Sequence, residues 1–333
     1  MTRPAVMADV AKLAGVSNQT ISRVLNNSER VSSEMRERVL DAITKLNYRP
    51  NSTARALASG RSRTVGVITL DMRLYGLASA LVGIEHAAHD AGFFVSVSTL
   101  RSLDLSSVLS AADNLRRQNV AGILVLALQR DVAKALTQLP HDLPVVAIES
   151  GAARSVPIVA AHHSEGAAQA TRYLLDLGHQ TVWHIAGPQD WLGAVERLEG
   201  WRQTLESAGA NVPRPLVGDW SARSGYELAE DLAGDPAVSA IFVANDAMAL
   251  GVLRRLHEAS RSVPSSVSVV GFDDMPEAAF YTPPLTTIRQ DFVELGRSSF
   301  ELILEEINGG ERAESRPAIA TDLIVRASTG PPA

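Results

Sequence analysis

Residues 9–27 read DVAKLAGVSNQTISRVLNN, and the stretch decides what the front of the chain is. Asp9 to Ala14 has the apolar spacing of a short helix. Gly15-Val16-Ser17 is a tight turn with Ser17 placed as an N-cap, and Asn18 to Asn26 spaces Ile21, Val24 and Leu25 as the inner face of a second helix. Helix, short turn containing Gly, helix is the helix-turn-helix shape. The second helix is unusual in its outer face, because Asn18, Gln19, Thr20, Ser22, Arg23 and Asn26 all carry hydrogen-bonding groups. A third helix is expected over Ser33 to Leu46, with Met35, Val39, Ile43 and Leu46 on one face. Beyond it lies NYRPNSTARALASGRSRT, where Pro50 breaks the chain, Asn51 can cap, Ser52 to Ser59 can make two helical turns and Gly60 ends them. A helix that short forms only against a partner.

Charge divides the chain at the same place. Residues 1–63 carry 11 Lys+Arg against 5 Asp+Glu, whereas the remainder carries 20 against 32, so a basic module precedes an acidic body and a polyanion is the expected partner of that module alone. The 333 residues contain no cysteine, which excludes disulfides and thiolate chemistry. No run of about 18 apolar residues and no signal peptide is read, so no membrane partner and a cytoplasmic, nucleoid-associated location are expected.

From Thr64 the pattern becomes apolar strands (VGVITL, FFVSVSTL, AGILVLAL, PVVAIES, TVWHIAG, PLVGDW, AIFVAND, VSVVGFDD) alternating with amphipathic helices such as LVGIEHAAHDAG. That alternation predicts parallel, doubly wound sheets covered by helices. About 260 residues are long for one sheet, so two lobes with a cleft at the carboxyl ends of the strands are expected.

The head and hinge, DVAKLAGVSNQTISRVLNNSERVSSEMRERVLDAITKLNYRPNSTARALASG, resemble the LacI/GalR family of bacterial transcription regulators. The rest, through GDWSARSGY, VANDAMALG, SVVGFDD and PPLTTIRQDF, is similar to that family's periplasmic-binding-protein-like core, nearest its lactose repressor branch. The resemblance implies an all-α helix-turn-helix head (1–49), a hinge helix and linker (50–63) and a two-lobed α/β effector-binding and dimerisation domain (64–330). Its N-lobe would take about 64–161 and 291–320, its C-lobe about 162–290 and 321–330. It also implies a repressor that binds a pseudo-palindromic double-stranded DNA operator as a homodimer under control of a small effector, a galactoside, other glycoside or disaccharide. Departures are Val6 where the family has a capping Thr, Met35 where it has Thr, and no counterpart of the leucine-rich tetramerising tail after ASTGPPA.

The implied residue roles agree with the chemistry available. Asn18, Gln19 and Arg23 fan across the helix face that meets base edges; Arg reads guanine and Gln reads adenine bidentately, each good pair giving about 1–3 kcal/mol of discrimination. Ser17, Thr20, Ser22, Asn26, Ser32, Arg36, Tyr48 and Asn51 suit phosphate contacts, which set register. Leu57, flanked by Ala54, Ala56 and Ala58, is implied to wedge into the minor groove, with ordinary packing on the body as its competitor.

In the core, Arg197 lies in the R-x-x-G-W motif that places an arginine on the effector. Trp220 is placed to stack on a sugar, and Asn245, Asp273 and Gln290 match effector positions. Glu149 stands where the lactose repressor branch has Asp, and Trp191 and Gly193 replace small polar residues, so a reshaped pocket is expected. The competing readings are that Trp220 is core and that Asn245-Asp246 only cap a helix. His141 and His162-His163 invite a metal reading, but adjacent histidines do not face one ion. VGVITLDMRLYG holds neither G-x-G-x-x-G nor G-K-[ST], and no nucleophile elbow occurs, so neither catalytic residues nor a cofactor are expected. A sugar-binding transport receptor is the alternative function, and it leaves the basic head without a use.

Overall fold

The computed structural model describes residues 5–25, 31–48, 62–70, 72–100, 104–126, 129–139, 142–148, 156–309 and 315–333. Asn26, Asn51, Ala54, Leu57, His141 and Glu149 therefore lie outside the described residues. The chain divides into two compact units, Met1–Ser62 and Arg63–Ala333.

The first unit holds α1 (Met7–Ala14), α2 (Asn18–Leu25) and α3 (Ser33–Lys45). α1 starts two residues earlier than its apolar spacing suggested. Its N-cap Val6 offers no side-chain acceptor, but the Asp9 carboxylate accepts from the Val6 N–H at 2.9 Å, which supplies half of a reciprocal cap. Gly15, at φ +66°, ends α1 in the left-handed conformation, and Arg38 of α3 donates to the Ala14 carbonyl at 2.6 Å. Ser17 accepts from the Thr20 N–H at 3.2 Å and starts α2 as read. Val10, Ala14, Ile21, Val24, Val39, Ala42 and Tyr48 form the core of this unit, with Ile43 and Leu46 packed on it. Met35 is half-buried outside that cluster, so the inner stripe of α3 runs through Ala42 instead.

The second unit has two sheets. The first has order β2-β1-β3-β4-β5, all parallel, from β1 (Thr64–Thr69), β2 (Phe94–Thr99), β3 (Gly122–Leu126), β4 (Val145–Ile148) and β5 (Ile158–Val159). Its inner strands β1, β3 and β4 bury both faces, while the edge strand β2 is partly exposed. Ile68, Ile123 and Val125 pack under α5 (Leu105–Arg117) and α6 (Arg130–Leu136), while Val65, Val67, Leu124 and Leu126 pack under α4 (Tyr75–Asp90) and α11 (Phe292–Ile307).

The second sheet has order β11-β10-β9-β8-β6-β7, from β6 (Trp183–Ala186), β7 (Leu216–Val217), β8 (Ala240–Val243), β9 (Ser268–Asp273), β10 (Thr286–Gln290) and β11 (Thr321–Ile324). It is parallel except for the β10–β11 pair. α7 (His163–Asp176) and α8 (Leu192–Ser207) cover one face, α9 (Ala222–Gly234) and α10 (Asp246–Glu258) the other.

Each sheet with its helices is a lobe, and the chain crosses between lobes three times: after β5, between β10 and α11, and between α11 and β11. The first and third crossovers are paired, since His162 N donates to Ile319 O at 3.0 Å and Ile319 N to Ala160 O at 2.7 Å. Strands β5, β10 and β11 were not read from hydropathy, and the PLVGDW run narrows to a two-residue strand because Trp220 turns away at φ +73°.

Candidate functional site

On α2 the two faces are sharply different. Ile21 and Val24 are buried, whereas Asn18, Gln19 and Arg23 are exposed. Ser17 and Ser32 are also exposed, and each spends an acceptor on a helix start: Ser17 on Thr20 N, Ser32 on Met35 N at 3.4 Å. The Ser17 hydroxyl also pairs with the Thr20 hydroxyl at 3.0 Å, so these two groups present a joined donor–acceptor pair on the exposed side of the helix start. Thr20, Ser22 and Arg36 are half-buried. Tyr48 lies in the core of the head at 8% exposure, which makes its ring an anchor of the fold whatever its hydroxyl reaches.

Between the lobes of the second unit is a cleft at the carboxyl ends of the strands. Leu126 ends β3, Ile148 ends β4, Asp273 ends β9 and Asn245 follows β8 in its lining. Arg197, on the second turn of α8, is its electrostatic centre and is 6% exposed. Its guanidinium donates to the Ala244 carbonyl and to His163 Nδ1, at 3.4 Å from Nε and 3.3 Å from Nη2, and stands 3.5 Å from Asp273 Oδ1. It also lies 4.0 Å above the Phe272 ring and 5.6 Å from the Trp220 ring centroid. Such a group has fixed direction and fixed charge, which suits recognition of oxygen acceptors.

Asp273 completes the pair. Gln290 Nε2 donates to its Oδ1 at 2.7 Å, so Gln290 stands behind Asp273 rather than in the cavity wall. Burial raises the Asp273 carboxyl to about 6, against the pull of Arg197 and then Gln290 in the opposite direction. His163 is buried beside Arg197, and desolvation first and the adjacent guanidinium second hold its pKa well below the ordinary histidine value. It is therefore neutral, with Nδ1 an acceptor and the proton on Nε2. His162 is exposed, so the two histidines face apart.

Asn245 serves both of its competing readings. Its Oδ1 caps α10 through Met248 N at 2.9 Å, its Nδ2 donates to Trp220 O at 3.1 Å, and it lines the cavity with an N–H to spare. Trp220 likewise belongs to wall and core. Its ring lies on Gly187, where a Cβ would come within 2.1 Å of it, and its Nε1 is buried with no partner among the described residues. Trp191 meets it edge to face, with centroids 5.8 Å apart at 76°.

The opposite wall was not read from the sequence. Arg73, Leu74 and Tyr75 at the start of α4 and Phe292 and Leu295 of α11 line it, with Tyr75 and Phe292 edge to face at 5.7 Å. The cavity thus offers a charged, hydrogen-bonding end on one lobe and aromatic surfaces on both, an arrangement suited to a small polyhydroxylated ring with two faces to cover.

Comparison with known proteins gives two family matches: residues 6–51 match the bacterial regulatory proteins of the lacI family, and residues 171–329 match a periplasmic binding protein-like domain. The lactose operon repressor of Escherichia coli (strain K12) is 33% identical over 329 residues, covering 98% of this chain and 91% of that protein. The structure of the lac repressor dimer bound to operator and the anti-inducer ONPF superposes with a TM-score of 0.89 at 33% identity, covering 98% of this chain and all of the other. A complex of the transcriptional regulator CelR with cellobiose gives a TM-score of 0.74 at 33% identity, covering 97% and 99%.

Proposed function

The chain belongs to the LacI family of bacterial regulatory proteins, and from that premise we propose that it is a DNA-binding transcriptional repressor whose operator affinity is set by a small saccharide held between its lobes. The observation that carries the reading is α2, a helix anchored by Ile21 and Val24 that turns Asn18, Gln19 and Arg23 to solvent. Those three read bases in the major groove, while Ser17, Thr20, Ser22, Asn26, Ser32, Arg36, Tyr48 and Asn51 hold phosphates. Residues 1–49 are the DNA-binding domain and 50–63 the hinge, with Leu57 and Ala54 at the minor groove. Residues 64–330 bind effector and dimerise.

In the cleft, Arg197 and Asp273 take the sugar hydroxyls, Asn245 adds a donor, Trp220 and Trp191 cover the ring, Gln290 holds Asp273 from behind, and Glu149 joins them. This binding needs no catalytic group and no cofactor, so the protein acts as a regulator rather than an enzyme. No described helix is long and apolar enough to cross a membrane, which fits a regulator working on DNA in the cytoplasm.

The homodimer has a surface ready for it. Phe94 and Val97 lie exposed on β2, an edge strand, Val82 is exposed on α4, and Phe280 and Leu250 are exposed on the other lobe. Edge strands and apolar patches of this kind are normally covered. A two-fold dimer presents two α2 helices to the two halves of a pseudo-palindrome.

The test is binding to duplexes selected from a random pool, followed as salt is raised. A regulator of this design loses affinity steeply, and Arg23→Ala costs about 1–3 kcal/mol and relaxes one base position. No binding to any duplex at low salt would remove the reading.

A further inference from the structure

Asp246 is wholly buried in the first turn of α10, and among the described residues no Lys, Arg or His forms an ion pair with its carboxyl. Burying a carboxylate without an ionic partner costs several kcal/mol. It is kept in place by one hydrogen bond to each oxygen, from two different elements: Thr287 Oγ1 of β10 donates to Oδ1 at 2.6 Å, and the backbone N–H of Met275 donates to Oδ2 at 2.8 Å. Room for it is provided by Gly271, where a Cβ would stand 2.2 Å from Oδ1.

What those two bonds hold is the turn after β9. Asp273 at φ +105° and Asp274 at φ +51° are consecutive non-glycine residues on the left-handed side, a conformation that persists only when the surroundings impose it. Asp274 is tied by Arg289 Nε at 2.7 Å and Arg326 Nη2 at 2.5 Å. The peptide that follows is tied by Asp246. With both sides of the turn fixed, the Asp273 carboxylate faces Arg197 and Gln290. Asn245, immediately before Asp246, lines the same cavity, so one helix start sets two of its polar walls.

We propose that Asp246 is a positioning residue of the effector site: from the first turn of α10 it holds the Asp273–Met275 turn, through Met275 N and Thr287, in the conformation that aims Asp273 at Arg197 and the ligand. The proposal rests on the reading of Asp273 as a ligand contact. The charged and titratable groups around Asp246 are Asp273, Asp274 and Tyr281, whose hydroxyl donates to the Asp246 carbonyl at 3.4 Å. Burial first, and the Asp273 charge next, hold the Asp246 carboxyl well above the usual carboxylate range.

The experiment compares the full-length parent with Asp246→Asn, Thr287→Val and Asp273→Ala. The Asp273 carboxyl is titrated by carbon-detected NMR, and cellobiose and o-nitrophenyl β-galactoside are titrated by calorimetry. Asn keeps the volume but has one acceptor atom for two donors; Val removes the Thr287 donor and leaves the Met275 bond. Asp246→Asn is expected to move the Asp273 titration down from about 6 toward the ordinary carboxylate range, through loss of the neighbouring carboxyl as well as relaxation of the turn toward water, and to weaken saccharide binding about tenfold. The affinity and the charge-preserving Thr287→Val therefore isolate the effect of the turn. Thr287→Val shifts both in the same direction by less, and it decides the matter by itself where Asp246→Asn does not fold. A lowered melting temperature with the Asp273 titration and saccharide affinity both at parent values overturns the proposal and leaves Asp246 a purely structural residue. Saccharide affinity unchanged in Asp273→Ala strikes at the site reading instead. The titration still judges Asp246 in that case, and also for a parent that binds neither sugar.

Discussion

Asp273 combines two opposed consequences of burial. Its carboxyl titrates at about 6 instead of 3.8, so between those values the folded protein binds a proton that the unfolded chain has released. By linkage, this group's contribution to stability declines as pH rises from about 4 to about 6 and is constant above. A sugar hydroxyl donating to the carboxylate needs the ionised form, so effector affinity moves the other way: the dissociation constant approaches a tenfold rise per pH unit below 6 and levels off above it. Asp273→Asn should flatten both profiles, measured by thermal melts and calorimetry from pH 4.5 to 8; a parent affinity that stays level down to pH 5 would refute the ionised-acceptor role. Such behaviour is not written in the motif. VGFDD marks Asp273 as a candidate, but only its neighbours Arg197, Gln290 and the left-handed turn determine its charge. Arg197, Trp220 and Asn245 were legible for the same limited reason, as motif residues on one lobe. Tyr75 and Phe292 were not, because an aromatic in an amphipathic helix reads as core until a second lobe is brought opposite it, and His163 invited a metal reading because its partner Arg197 lies 34 residues away in sequence.

At the scale of elements, strands buried on both faces were legible as continuous apolar runs, and β10 and β11 were not. TTIRQ and TDLI hide buried polar residues, Thr286, Thr287, Gln290 and Thr321, and the first three find side-chain partners in distant segments: the Thr286 hydroxyl bonds to Thr329 and accepts from Arg326 N, Thr287 donates to Asp246 and Gln290 to Asp273. Hydropathy does not register polar side chains satisfied at long range. The start of α6 shows another long-range satisfaction. The N–H of Arg130, at the first helical position, donates to Asp190 O of the other lobe at 3.1 Å, and Gln129 pairs with Trp191 in an antiparallel bridge. An orphan donor of one lobe is thereby capped by the rim of the cavity on the other. Arg130→Pro removes that donor alone, because proline is favoured at the first helical position and Gln129, at φ −106° and ψ 152°, already has the extended backbone that precedes proline. It is expected to cost about 1 kcal/mol of lobe closure and to speed saccharide release about fivefold in stopped-flow tryptophan fluorescence, with Arg130→Ala, which keeps the N–H, unchanged. Equal release rates in the two variants would show that the rim contact is idle.

For the whole molecule, the reading requires that the polar face of α2 and the Arg197–Asp273 pair share one free energy. A saccharide that weakens operator binding by some factor must bind the operator-free protein more tightly by that same factor, whatever path joins the sites. The factor is limited by how differently the ligand interacts with the two lobe arrangements, typically 1–3 kcal/mol. On the proposed reading the cavity suits such a difference, since Arg197 and Asp273 sit on one lobe and Tyr75, Phe292 and Leu295 on the other, so that closure would bring both to a ligand. Arg197→Ala should then behave in a specific way. Operator affinity without saccharide stays near that of the parent, because Arg197 bonds to Ala244, His163 and Asp273 within its own lobe, and the saccharide response is lost. Asn18→Ala should do the reverse, losing operator affinity while leaving calorimetric saccharide binding intact. Fluorescence anisotropy of labelled operator with and without saccharide gives one coupling factor, and saccharide calorimetry with and without operator gives the other. Unequal factors would mean that more than two states are populated, and an Arg197→Ala protein that still responds fully to the saccharide would place its ligand somewhere other than this cleft.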